Sequence, residues 1–229
     1  MSIRFPLILI NFKTYIESMG NRGLELARIA EEVSEETGVC IAVAPHTVDL
    51  FRVAPNVGIP VFAQHVDPDP PGAYTGAIAP ESLKEAGVSG AIINHSERRM
   101  RLDLIEDAVK RCSSLGISTC VCANTPLAGR AVASFAPEMV AVEPPELIGS
   151  GIPVSKAKPE VVEGSVELVK RVNEGIRVLC GAGIASGEDV SAAVKLGTEG
   201  VLLASGIVKA KDRRGALLDL ALALRDQGR

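Results

Sequence analysis

The sequence is short of most features that announce a partner. It has no run of five like charges, and 24 lysines and arginines stand against 28 aspartates and glutamates, a formal charge of −4. That mildly acidic balance argues against electrostatic binding to nucleic acid or to an anionic membrane surface. No apolar segment approaches the roughly 20 residues that cross a bilayer, so no membrane partner is expected. The opening, MSIRFPLILINFK, holds one short apolar run that turns into Asn11 and Lys13 without a small-residue cleavage site. It reads as a first strand and not as a signal peptide, which fits a cytoplasmic protein. There are three histidines, and none of the five cysteines forms a C-x-x-C pair. A metal centre is therefore not expected, and the thiols read as buried and reduced. Tryptophan is absent altogether.

What is present is a core-forming chain with a regular beat. Hydrophobic residues make up 47% of 229, enough to bury a sizeable interior. Short apolar runs recur: LILIN (7–11), CIAVAP (40–45), PVFAQ (60–64), GAIIN (90–94), STCVCAN (118–124), MVAVE (139–143), RVLCG (177–181) and GVLLAS (200–205). They are nearly continuous in hydrophobicity, the pattern of strands buried on both faces of a parallel sheet. Between them lie segments of helical period. Leu26, Ile29, Ala30 and Val33 fall at i, i+3, i+4 and i+7, with Glu31, Glu32, Glu35 and Glu36 largely on the other face. Val162, Val166 and Val169 repeat the pattern behind Pro159, and RRGALLDLALALRDQ forms a closing amphipathic helix. Glycines in EETGVC, EAGVSG, SLGIS and KLGTEG end helices ahead of new strands, as such links require. Eight strand–helix units predict an α/β fold, a single-domain (β/α)8 barrel over residues 1–229. A doubly wound open sheet is the alternative, disfavoured because eight strands use up the chain.

In such a barrel the site lies at the carboxyl ends of the strands. There the first six runs finish in Asn11 and Lys13, His46, Gln64 and His65, Asn94 and His95, Asn124, and Glu143. The last two finish in Gly181-Ala182-Gly183 and Ala204-Ser205-Gly206, small residues whose backbone N–H groups an anion can approach. Helix starts are expected just behind them, which suits a phosphate. That leaves Lys13, His95 and Glu143, on strands one, four and six, for chemistry. A carboxylate can take a carbon-bound proton while a cation and an imidazole stabilise the enediolate oxygen that forms. Each of the three alone has a plain structural explanation; three around one mouth point to a site. Behind Glu143, EPPELIGSGIPVSKAKPE is long for a compact barrel. Pro144-Pro145 stiffens one side and Gly149-Ser150-Gly151 supplies a hinge, so the stretch reads as a lid that excludes water.

NFK near the N-terminus, NHSERR after the fourth run, VEPPELIGSG at the sixth, and GAGI and LLASG at the last two occur in an order that resembles the triosephosphate isomerase family. The resemblance spans nearly the whole chain and is nearest to the compact archaeal form. It implies interconversion of D-glyceraldehyde 3-phosphate and dihydroxyacetone phosphate, in glycolysis and gluconeogenesis, with no cofactor and no metal. It implies Glu143 as the base that carries a proton between adjacent carbons, His95 as a neutral electrophile, and Lys13 as the cation beside the oxygens and the phosphate. Asn11 would help hold the substrate, while Ile148, Gly183, Ala204 and Ser205 match positions whose backbones grip the phosphate. A helix starting behind His95, with Ser96 as its cap, is expected to disfavour a charged imidazole. Glu97 matches a residue that pairs with Lys13.

The stretch HVDPDPPGAYTGAIAPESLKEAG (65–87) corresponds to a loop that docks into a neighbouring subunit, with Thr75 near its tip. A homodimer or homotetramer is therefore implied. Val142 stands before Glu143 where many members have an aromatic, no lid tryptophan exists, and CVCAN replaces a cysteine-glycine-glutamate run. These departures resemble the archaeal branch and touch lid anchoring, not the chemistry. Two readings compete. A Schiff-base aldolase would use Lys13, between Phe12 and Thr14, as nucleophile, but leaves Glu143 and the lid unexplained. A non-catalytic sugar-phosphate binder does not need Lys13, His95 and Glu143 together.

Overall fold

The computed structural model describes residues 3–144 and 153–227. Its strands are β1 (Leu7–Asn11), β2 (Cys40–Ala44), β3 (Phe62–Ala63), β4 (Gly90–Ile93), β5 (Ser118–Ala123), β6 (Met139–Val142), β7 (Arg177–Gly181) and β8 (Gly200–Leu203). They pair in parallel in the order β2-β1-β8-β7-β6-β5-β4-β3, with Leu7 in register with Cys40 on one side and Gly200 on the other. A lone parallel bridge, Val43 to Val61, joins β2 to β3 and closes the ring. The barrel prevails over the open sheet.

The helices are α1 (Asn21–Thr37), α2 (Leu50–Val53), α3 (Pro80–Glu85), α4 (Leu102–Ser114), α5 (Pro126–Ala133), α6 (Val154–Ala157), α7 (Pro159–Val172), α8 (Gly187–Lys195), α9 (Ser205–Val208) and α10 (Arg213–Gln227). Among the described residues, no helix is long and apolar enough to cross a membrane.

The unbroken hydrophobicity of the strands follows from burial on both faces. In β1, Leu7 and Leu9 point into the barrel interior, whereas Ile8 and Ile10 face the surrounding helices. The interior mixes large and small residues: Cys40, Ala42, Ala44, Cys120, Cys122 and Ala141 leave space for Phe62 and Met139. Gly90 is required beside Phe62, because a Cβ there would collide with the ring. Outside the barrel, α1 buries Leu26, Ala27, Ala30 and Val33 and packs on α10, which buries Leu217, Leu220, Ala221 and Leu224. Each such branched side chain taken from water contributes roughly 1.5–3 kcal/mol. The first and last long helices are thus neighbours outside the barrel, as β1 and β8 are within it. Gly38, at φ 74°, ends α1 by returning its N–H to the Ser34 carbonyl at 2.9 Å. All five cysteines are free and buried.

The third strand is shorter than the run 60–64 suggests. Pro60 has no N–H to give, although its carbonyl accepts from Val43 at 3.1 Å. At the other end the Gln64 side chain, not its backbone, reaches the Ala44 carbonyl at 2.9 Å. The strand is therefore pared to Phe62–Ala63 while the polar end it delivers stays in place.

Candidate active site

At the carboxyl end of β1, buried Asn11 accepts the Lys13 N–H on Oδ1 at 2.9 Å. That bond holds Lys13 at φ 50°, a left-handed conformation rare for a side-chain-bearing residue. Gln64 Nε2 donates to the Lys13 carbonyl at 2.9 Å, and the Lys13 ammonium ends 2.8 Å from Glu97 Oε1. A flexible side chain is thus fixed at its base and its tip.

At the end of β4 the chain turns at Asn94, φ 60°. Its amide braces the turn in both directions: Nδ2 donates to the Cys122 carbonyl at 3.0 Å and Oδ1 accepts the Met100 N–H at 2.9 Å. His95 follows, 6% exposed. Contrary to expectation, no helix begins at Ser96. A single turn closes there, with the Arg98 N–H on the His95 carbonyl at 2.8 Å, and α4 starts only at Leu102. The Ser96 cap is therefore not made. The backbone bends so that one N–H, from Glu97, points at His95 Nδ1 at 3.2 Å. A nitrogen that accepts an N–H carries no proton, so in the neutral ring the proton sits on Nε2. Nε2 faces Glu143 Oε1 at 3.6 Å.

Glu143 stands just beyond β6, its N–H on the Ala123 carbonyl at 2.8 Å. It is 4% exposed, and among the described residues its buried Oε2 has no hydrogen-bond partner. A buried acceptor left unmatched costs about 1–3 kcal/mol, and such a group calls for an explanation beyond stability. The carboxylate rests on neutral thiols: burial first, and then the Glu143 charge, push Cys122 and Cys120 far above the usual thiol range. Gly181 supplies the space, since a Cβ there would sit 2.9 Å from Glu143 Oε1 and closer still to its Cγ.

The opposite wall is backbone. Ala182 and Gly183 lie at φ 70° and 75°, and the turn leads into α8 through a capping box. Ser186 Oγ accepts the Asp189 N–H at 3.4 Å, and Asp189 Oδ2 accepts the Ser186 and Ala185 N–H groups at 3.0 and 3.1 Å. Asp189 also pairs with Lys156 at 2.7 Å. Burial opposes its charge, but these donors prevail and lower its pKa. After β8, Ala204 and Ser205 open the short helix α9. Asn11, Lys13, His95, Glu143, Gly183, Ala204 and Ser205 all line one cavity of about 180 Å3. Ile148 and the Gly149-Ser150-Gly151 hinge lie outside the described residues.

The arrangement is a carboxylate and an imidazole facing each other, a fixed cation beside them and small-residue backbone opposite. Residues 6–223 match the model of the triosephosphate isomerase family. The chain belongs to the triosephosphate isomerase family. A triosephosphate isomerase of Methanocaldococcus jannaschii is 58% identical over 214 residues, 93% of this chain and 98% of its own. One from Methanothermus fervidus is 58% identical over 94% of this chain and 97% of its own, and one from Methanopyrus kandleri is 54% identical over 97% and 99%. The expected likeness to archaeal members is thereby met.

Seen as a triosephosphate isomerase relative, the chain has two cavity features that its sequence did not announce. Gly181 appeared only as one of three small residues near a phosphate, yet its missing Cβ serves Glu143. That contact joins β6 to β7 and leaves no trace in linear spacing. Tyr15 also lines the cavity; its only signal was its place two residues after Lys13.

Proposed function

We propose that this isomerase interconverts D-glyceraldehyde 3-phosphate and dihydroxyacetone phosphate through an enediolate. The observation that carries the reading is the pair of His95 Nε2 and Glu143 Oε1, 3.6 Å apart in one cavity. Glu143 takes a proton from the carbon next to the carbonyl, and the bonding pair moves into an enediolate. His95 donates its Nε2–H to the carbonyl oxygen as charge grows there, and Lys13 stabilises the same charge. Return of the proton from Glu143 to the neighbouring carbon, with proton exchange between the two oxygens through His95, completes the isomerisation. Asn11 and Lys13 hold the substrate, and the backbones at Gly183, Ala204 and Ser205 hold the phosphate. Ile148 belongs to this set by resemblance, as does a lid formed by the stretch around it.

The reading needs no cofactor and no metal. The aldolase alternative gains no support: Lys13 is paired with a carboxylate, whereas a Schiff-base lysine is set among apolar neighbours. We read the chain as one cytoplasmic barrel domain that serves glycolysis and gluconeogenesis and assembles as a homodimer or homotetramer. Two features support assembly. A second cavity, about 400 Å3, opens beside Lys13, His65, Glu97 and Arg98. The loop that would enter a partner's copy of it is pinned at its base, Asp67 accepting the Ile78 N–H at 2.8 Å and meeting His65 Nε2 at 2.9 Å.

The test is turnover of glyceraldehyde 3-phosphate in an assay coupled to dihydroxyacetone phosphate, wild type beside Glu143→Gln. Fast isomerisation that falls by about 10³-fold in the variant fits the loss of a general base. An inactive wild type would refute the reading. Sedimentation of the purified protein decides the assembly, a monomer being the outcome against it.

A further inference from the structure

Tyr15 has no part in the proposed proton transfers, yet it borders the cavity and makes a cation–π contact. Its ring lies under the Lys209 ammonium, 4.2 Å from nitrogen to centroid. Lys209 directly follows α9, with its N–H on the Ser205 carbonyl at 3.1 Å, and α9 is the short helix that begins at the phosphate wall. The hydrogen bonds and ion pair that fix Lys13 all run to the β1–β4 side: its N–H to Asn11, its carbonyl to Gln64, its ammonium to Glu97. The Tyr15–Lys209 contact runs the other way, from the segment that carries Lys13 to the segment after β8. A second tether runs in the same direction farther out, Arg213 Nη2 donating to the Glu17 carbonyl at 3.1 Å.

A phosphate bound between the Lys13 ammonium and the Ala204–Ser205 backbone needs both walls at a fixed separation. The walls belong to β1 and β8, which pair along their length, but both binding groups lie beyond the ends of that pairing, where the ladder no longer sets the spacing. We infer that Tyr15 and Lys209 are a pair of positioning residues that set the width of the phosphate end of the cavity. The inference rests on the proposed reading of this cavity as the triose-phosphate site. The ring presents its negative face to the cation, so the contact depends on the ring and on the charge, not on the tyrosine hydroxyl. It touches neither Glu143 nor His95, so its loss should weaken substrate binding and leave proton transfer alone.

Steady-state kinetics with triose phosphate test it. Tyr15→Leu should raise KM about two- to fivefold, the worth of a partly exposed cation–π contact, with kcat close to wild type. Tyr15→Phe, which keeps the ring, should behave as wild type. Lys209→Gln should match Tyr15→Leu, and the double variant should be no worse than either single one, because both remove one contact. An unchanged KM in Tyr15→Leu overturns the proposal, as does a Tyr15→Phe variant as impaired as Tyr15→Leu. So does a double variant whose losses add, since Lys209 would then act on the anion directly through its charge. A fall in kcat with KM unchanged overturns it too. Lys209→Gln alters an exposed side chain and guards against a Tyr15 variant that folds poorly. If the wild type turns over no triose phosphate, the proposed reaction fails. The same proteins are then compared for inorganic phosphate affinity by calorimetry, where the same ranking sustains the pair and equal affinities refute it.

Discussion

The β1–β4 side of the rim and the β7–β8 side surround one cavity but are made of different materials. On the first, the proposed reading gives the chemistry to side chains, and these are fastened: Asn11 to Lys13, Gln64 to Lys13, Lys13 to Glu97, Asn94 to Met100 and Cys122, and the Glu97 N–H to His95. On the second, the groups that the proposed reading sets against the phosphate are peptide N–H donors of small residues, with Ala182 and Gly183 in left-handed conformations and a capping box behind them. A proton must be moved by a group that can titrate, so the chemical side needs particular side chains. A phosphate needs several donors at once, which backbone supplies without side-chain entropy to lose. Glu143 stands at the seam, just beyond β6, with its carboxylate over Gly181 of β7.

Breaking the chemical side should cost the most. Glu143→Asp withdraws the carboxylate by one methylene and should lower kcat by about 10²-fold or more with little change in KM, read by steady-state kinetics. Gly181→Ala crosses the division: it sits among the small residues yet should show the signature of the chemical side. Its new Cβ displaces Glu143, and kcat should fall by about tenfold or more while phosphate binding is largely kept. A KM effect alone would assign Gly181 to the phosphate wall instead.

Acid should separate the two sides without mutation. Burial, aided by Arg98 and opposed by Asp67, holds His65 below its ordinary value of 6.5. Asp67 is also lowered, by Ile78 and His65 against its own burial. A lowered histidine takes up its proton more readily once the loop opens. The stability it contributes is present above pH 6.5 and lost as pH falls through the lowered value. Asp189, behind the phosphate wall, is lowered from 3.8, so its contribution lasts until the pH drops below that value. Amide exchange read as protection factors should show Ile78 loosening below pH 6.5 while Ser186 stays protected. Equal loosening at one pH would erase the distinction. The smallest effect is expected from Ser186→Ala, which removes half the capping box and should cost about 1 kcal/mol, seen as a lower Tm with kcat unchanged.

What could be read in the chain follows the same division. The strands were legible because burial on both faces writes one unbroken signal, and polar residues such as Asn11, His95 and Glu143 end those runs abruptly. Seven of the expected site residues meet in one cavity because each lies at a strand end, and strand ends converge in a barrel. The eighth, Ile148, lies outside the described residues. The helix expected behind His95 was a different matter. A serine followed by charged residues suits a helix start, but Asn94 ties itself to Met100 and turns the segment once before α4 can begin. The short third strand was hidden for a similar reason, since Gln64 spends its side chain on carbonyls of two other segments. Contacts between segments decide such points, and linear spacing carries none of them.

Tyr15 has one further consequence. With no tryptophan in the chain, its two tyrosines are the only strong ultraviolet fluorophores, and they lie in different places: Tyr15 at the cavity wall and Tyr74, 48% exposed, on the loop between β3 and α3. The protein therefore carries its own pair of optical reporters, with no indole to drain their emission. Replacing either tyrosine by phenylalanine leaves a single lamp, one that watches the cavity or one that watches the loop.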